Sequence, residues 1–215
     1  MESYSGIMET MLPDIHQRLA ARLRGLRAER GLTLDGLAER AGVSRSMISL
    51  IERGESSPTA AVLDRLSTGL EVTLASLFAD EARADASPVA RRADQATWRD
   101  PETGYVRRNL SPPRFPSPVE LVEVVLPAGA RVAYDSAAAA RAVGIGQQVW
   151  VLEGRLELSV GDVTHTLEVG DCLAMRVGGP TVFRNLAEHD TRYVVALAAD
   201  PAPGGAAAHF RGGGR

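Results

Sequence analysis

Between Leu34 and Gly54 the chain reads LDGLAERAGVSRSMISLIERG, and this stretch narrows the possible folds more than any other. Leu34, Leu37, Ala38 and Ala41 recur at helical spacing, and Gly42 ends the run. Thr33 is placed to cap that helix. Ser44 then caps a second helix whose Ile48 and Ile51 face inward, and Gly54 closes it. Small Ala38 lets two helices approach closely, and Val43 plugs the turn between them. Two short helices across a glycine turn form a helix-turn-helix unit. An ordinary helical hairpin is the competing reading. The joint occurrence of Ala38, Gly42, Val43 and the Ile48 spacing disfavours it.

The flanks extend the pattern. Asp14 and Gln17 suit a capping box, followed by Ile15, Leu19, Leu23 and Leu26 on one face and a stop at Gly31. Pro58 and Thr59 open a fourth helix carrying Leu63, Leu66 and Leu70. Thr73 caps a short fifth with Leu74, Leu77 and Phe78. Residues 15–80 are therefore expected to form a five-helix bundle, preceded by disordered residues 1–14. From His16 to Leu70 nine arginines stand against six acids, although the whole chain carries a net charge of −3. A basic segment in an acidic chain points to a local anionic partner. The chain has no lysine, so any phosphate or carboxylate contact comes through a guanidinium fork.

Residues 81–117 change character, with several prolines and few large apolar side chains. They are expected to be a linker with at most a short strand around Tyr105–Arg108. From residue 118 to 200 the pattern is strand-like: Val119–Leu126, Val149–Val151, Arg155–Val160, Val163–Leu167 and Tyr193–Ala196, with glycine turns at Gly154, Gly161 and Gly170. Many short strands with such turns predict a sandwich or barrel. Residues 201–215 are Ala/Gly-rich and expected to be a disordered tail. The fold class is thus multidomain α + β. A single cysteine, Cys172, excludes an internal disulfide and a cysteine-rich zinc site, and reads as a small buried residue. No apolar run reaches membrane-spanning length, and no secretory pattern opens the chain, so a cytoplasmic protein is expected.

Residues Leu19–Asp80, through RLRGLRAERGLTLDGLAERAGVS and SMISLIERGESSPTAAVLDRLSTGLEVTLASLF, resemble the Cro/C1-type (XRE-like) helix-turn-helix family. The resemblance implies that the second helix of the pair enters the DNA major groove. Arg45, Ser46 and Ser49 would then face base edges, with Leu50 at the groove wall. Thr33 and Ser44, at helix N-termini, would meet phosphates, and Arg53 would reach the backbone beyond. Arg45 is the expected specificity residue, since arginine binds guanine O6 and N7 together. Gly36 departs from the helix former usual at its position. One such unit contacts little DNA, so a homodimer on a palindromic operator in double-stranded DNA is expected.

The segment VWVLEGRLELSVGDVTHTLEVGDCLAMRVGGPTVFRN resembles the cupin family, over about Val119–Leu197. The cues are the Leu152–Gly154 turn, Gly161–Asp162, Gly170–Asp171 and Asn185. The resemblance implies an antiparallel β-barrel (jelly roll) that senses a small molecule or holds a dimer. Many cupins bind a metal through two histidines, a glutamate and a further histidine. Gln147 stands at the glutamate position, Arg141 and Val143 near the first two histidine positions, and Thr181 at the last. No metal, no other cofactor and no catalytic residue are therefore expected. A pocket lined by Arg141, Val143, Gln147, Val149, Val151, Thr181 and Phe183 remains, suited to a small effector, with a carboxylate held by Arg141 as one form of it. Two alternatives stay open. One is a metal-dependent cupin enzyme of the oxygenase or epoxidase kind that carries a helix-turn-helix. The other is a regulator whose cupin is only structural.

Overall fold

The computed structural model describes residues 15–72, 74–78, 86–135 and 144–199. Five helices come first: α1 (Ile15–Glu29), α2 (Leu34–Ala41), α3 (Arg45–Glu52), α4 (Ala60–Gly69) and α5 (Leu74–Phe78). Their boundaries follow local chemistry. The Thr33 hydroxyl accepts from Gly36 N at 3.0 Å, Ser44 from Met47 N at 3.2 Å and Thr59 from Val62 N at 3.3 Å. Each satisfies an amide that the helix start leaves without a partner. Gly42 ends α2 in the left-handed region, at φ 60°. The apolar faces meet in one core, with Leu37, Leu63, Leu66 and Leu70 fully buried and Leu19, Leu23, Ile48 and Ile51 nearly so. The expected caps Asp14 and Thr73 lie outside the described residues.

Among the described residues ten strands follow in two antiparallel sheets. They are β1 (Thr97–Arg99), β2 (Val106–Asn109), β3 (Val119–Leu126), β4 (Arg131–Tyr134), β5 (Ile145–Glu153), β6 (Leu156–Val160), β7 (Val163–Leu167), β8 (Cys172–Val177), β9 (Thr181–Arg184) and β10 (Thr191–Ala199). One sheet has the order β1-β2-β3-β10-β5-β8, the other β4-β9-β6-β7. The sheets pack through their inner faces, where the rings of Phe183 and Tyr193 stack at 5.7 Å. Asn185 brackets the turn after β9: its amide donates to the carbonyls of Leu126 and His189, and its side-chain oxygen accepts from Ala187 N. Gly154, at φ 80°, lies so close to Thr191 that a Cβ would stand 2.7 Å from the hydroxyl.

Two expectations need correction. Strand β2 falls at the short strand expected around Tyr105–Arg108, but β1 lies in the stretch read as plain linker, and both extend the larger sheet, with Trp98, Tyr105 and Arg107 buried. Three residues such as β1 carry too little periodicity to be read, and the burial of both strands comes from partners far away in sequence. Cys172 is exposed rather than buried. It starts β8, the last strand of the sheet, opposite the half-exposed Trp150 on the outer face. No helix among the described residues is long and apolar enough to cross a membrane.

The helical core is tight at Gly69, where a Cβ would stand 2.9 Å from the Cβ of Ala41 on α2 and 3.0 Å from its backbone nitrogen. Alanine there gains at most about 1 kcal/mol of helix propensity. It forces α2 and α4 apart at a cost of about 1–3 kcal/mol. Gly69→Ala should therefore lower the urea midpoint; an unchanged or raised midpoint would show that the two helices separate freely.

Candidate functional site

Helix α3 projects from the helical core with one face buried and one face wet. Ile48, Ile51 and Glu52 are buried, while Arg45, Ser46 and Met47 are exposed and Ser49 and Leu50 are intermediate. The Ser44 and Ser46 hydroxyls lie 3.2 Å apart at the N-terminus. Arg45 rests on Asp35 of α2 through a solvent-exposed contact of 3.2 Å. Arg53, just past the helix, makes a two-pronged contact with Glu55 and donates to the Ser49 hydroxyl. Those hydrogen bonds from Arg53 hold the Glu55 carboxyl below its ordinary range.

The posture of α3 is set from α1. Glu52 is 5% exposed, and Arg27 donates to its two oxygens at 2.7 and 2.8 Å. Arg27 also donates to the Leu32 carbonyl at 2.8 Å, and Arg24 donates to the Glu52 carbonyl. The hydrogen bond to Glu52 raises the already high pKa of Arg27. A planar fork facing a carboxylate fixes angle as well as distance.

The second feature is a cavity of about 260 Å³ between the helices and the sheets. Ser67, Thr68, Val72 and Leu74 form its helical side. Gln147, Thr181 and Phe183 line the opposite side together with Arg107, Glu120, Met175 and three tyrosines, Tyr105, Tyr134 and Tyr193. Register explains how charge enters this face: Arg107 pairs with Val124 and Glu120 with Leu197, so both share the inward side of the pleat. Arg107 Nη2 donates to Glu120 Oε1 at 3.2 Å. Burial pushes the Glu120 carboxyl above its ordinary range, and Arg107 draws it part of the way back. Burial also raises Tyr134 and Tyr193 well above the usual phenol range, so both are neutral at any physiological pH.

Of the other expected pocket residues, Val149 and Val151 are fully buried in the core and are not on the cavity wall. Arg141 and Val143 lie outside the described residues. Among the described residues no group of three or more His, Cys, Asp or Glu side chains could hold a metal ion.

The HTH_3 helix-turn-helix family model matches residues 23–77, which run from the middle of α1 into α5. Over 182 residues the chain is 29% identical to the HTH-type transcriptional regulator SutR of Escherichia coli (strain K12), covering 85% of this chain and 95% of SutR. An HTH_3 family transcriptional regulator from Vibrio cholerae superposes with a TM-score of 0.64 at 26% identity, covering 87% of this chain and 98% of that one. Residues 23–77 are thus a helix-turn-helix domain of the HTH_3 kind, and the chain is a DNA-binding transcriptional regulator. The cupin domain of an XRE family regulator from Enterobacter cloacae also matches, at 18% identity and a TM-score of 0.39 over 45% of this chain and 98% of that domain.

Sequence reasoning about the regulator missed several residues. Met47 lies 37% exposed beside Ser46. Its position one residue before Ile48 was the available signal, because neighbours in sequence point to different sides of a helix. Arg107 and Glu120 were missed although strands were expected at both places, because no local pattern marks an inward-facing charge.

Removing one member of a buried, two-pronged ion pair strands the other charge at a cost of about 3 kcal/mol. Arg27→Met should therefore destabilise the regulator by about that much and weaken DNA binding by freeing the end of α3. Urea unfolding and a DNA-binding titration check this; full DNA affinity in a folded Arg27→Met protein would contradict it.

Proposed function

We propose that the regulator binds a two-fold operator as a homodimer through α3, and that a small molecule in the interdomain cavity sets the posture of its two reading heads. The observation that carries this is the shared wall of the cavity. Ser67 and Thr68 belong to the helical domain, while Gln147, Thr181 and Phe183 belong to the sheets. A ligand that touches both domains has different contacts when they move, which is the condition for shifting a conformational equilibrium.

On the DNA side Arg45, Ser46 and Ser49 meet base edges, with Met47 added against the groove. Thr33 and Ser44 meet phosphates while their hydroxyls cap the helices. The exposed Arg45–Asp35 contact is worth at most about 1 kcal/mol, so a guanine edge displaces it readily. Arg53 reaches the phosphate backbone once Glu55 swings away. Gln147 and Thr181 stand in the cavity at positions where metal-binding cupins have ligands, which supports a sensor rather than an enzyme. The two sheets are read as the cupin's jelly roll.

Dimerisation is assigned to the outer face of the larger sheet. Trp150 is 50% exposed there, with Leu121 at 38% and Val119 at 39%. These residues alternate with the inward-facing ones along β5 and β3, so they form a single apolar face. Apolar patches of this kind mark interaction surfaces.

Three measurements test the proposal. Arg45→Ala should lose about 1–3 kcal/mol on the specific site and relax one base position. Equal binding by wild type and variant would move the reading register. Arg53→Ala should weaken binding to all sequences alike and lower the salt slope by about one; a sequence-selective loss would make Arg53 a base-reading residue. Trp150→Arg should convert a dimer to a folded monomer in light scattering. A variant that stays dimeric would place the contact elsewhere.

A further inference from the structure

The cavity is lined by a pair of opposite charges, and one buried nitrogen of the pair has no hydrogen-bond partner. Arg107 is 6% exposed, and its Nη2 is engaged by Glu120 at 3.2 Å. Its Nε is fully enclosed and has no hydrogen-bond partner. Buried polar groups are almost always satisfied, so the guanidinium of Arg107 stands beside the cavity with its hydrogen bonding incomplete. The guanidinium carbon lies 5.0 Å from the centre of the Phe78 ring, at the end of α5. Whatever engages Arg107 therefore engages the helical domain as well.

Charge decides the class of acceptor. The Arg107–Glu120 pair is neutral overall. A simple anion at the guanidinium would bring a second negative charge beside Glu120, leaving the site with a net buried charge. A simple cation at Glu120 would do the reverse. A molecule with both charges, separated by one or two bonds, meets both partners and keeps the site neutral. The rest of the wall is largely apolar, through Val72, Leu74, Ile145, Met175 and Val177. A volume of about 260 Å³ leaves room for only a small ligand.

We propose that the effector is a zwitterionic α-amino acid with an aliphatic side chain. Its carboxylate accepts from the cavity-facing part of the Arg107 guanidinium, its ammonium donates to Glu120, and its side chain packs against the apolar wall. This rests on the reading of the cavity as a sensor site and gives that site its ligand chemistry. The charge-assisted contacts supply recognition, while the apolar wall selects the side chain.

The test is a thermal-shift and calorimetric titration of the full chain. The probes are L-alanine, L-valine, L-leucine and L-methionine, each beside its deamino acid and its decarboxylated amine. For leucine these are 4-methylpentanoate and 3-methylbutylamine. The proposal expects at least one amino acid to bind, and both of its analogues to bind about tenfold more weakly or worse. Glu120→Gln should reverse the preference between L-leucine and 4-methylpentanoate, because the repulsion of the bare acid is gone. Arg107→Met should lose both. The analogue series on wild type decides the question even if Arg107→Met fails to fold.

An analogue that matches its amino acid overturns the zwitterion and leaves cavity sensing intact. If nothing binds, Met175→Trp separates the remaining cases by filling the cavity. A changed DNA affinity in that variant overturns only the ligand class, whereas an unchanged one overturns the sensor reading with it.

Discussion

The contact between α5 and the first two strands joins the two halves of this protein, and the cavity exists because of it. Phe78 ends the helical domain with its ring 5.7 Å from Trp98 and under the guanidinium of Arg107. Tyr105 continues the cluster edge-on to Trp98 at 6.0 Å. Offset and edge-on aromatic pairs hold angle as well as distance. Two hydrogen bonds flank the cluster: Asn109 donates to the Phe78 carbonyl, and Asp135 N donates to Asp64 of α4 at 2.7 Å. The helical domain is thus fastened to both sheets, since Asn109 sits on the larger one and Asp135 follows β4 of the smaller. The space left between these fastenings is the cavity.

From that junction a mechanical path leads to the DNA-facing surface. Helix α4 presents Ser67 and Thr68 to the cavity and packs its Leu63 and Leu66 into the helical core. Gly69 places α4 against α2 with almost no clearance, and α2 leads through Gly42 into α3. The Arg27–Glu52 fork then fixes the far end of α3 to α1. Close-packed interiors deform little, so a shift of α4 moves the group rather than being absorbed. On the opposite side of the larger sheet, Glu123 is held by Arg108 and Arg192, and Arg192 also reaches Glu153. Burial pushes the Glu123 carboxyl up, and the two arginines more than offset that, holding it below its ordinary range. This outer row of charges borders the apolar face at Trp150.

The helical domain was legible because its rules are local. Thr33, Ser44 and Thr59 cap helices by hydrogen bonds spanning three residues, and Gly42 turns the chain by its own backbone freedom. All of that is written within each segment. The sheets were legible only where β-branched residues run together, as in Val119–Leu126. Strand β8 reads CLAMRV, with few strong strand formers, and β4 is only the four residues RVAY, too short to stand out, so their partners make them strands. The same holds for Cys172, whose exposure depends on which strand ends the sheet. Gln147, Thr181 and Phe183 were placed in the pocket through family resemblance and do line the cavity. Arg107 and Glu120 could not be found in this way. The inward direction of Arg107 depends on the pairing of β2 with β3, and that of Glu120 on the pairing of β3 with β10.

Selection of bound sequences from a random duplex pool by the full-length protein tests the central claim most directly. The account predicts an inverted repeat whose half-sites are centred about one helical turn apart, or a whole multiple of it, because two copies of α3 must enter the same face of the duplex. Recovery of a lone half-site without symmetry, or of no preferred sequence at all, would contradict it.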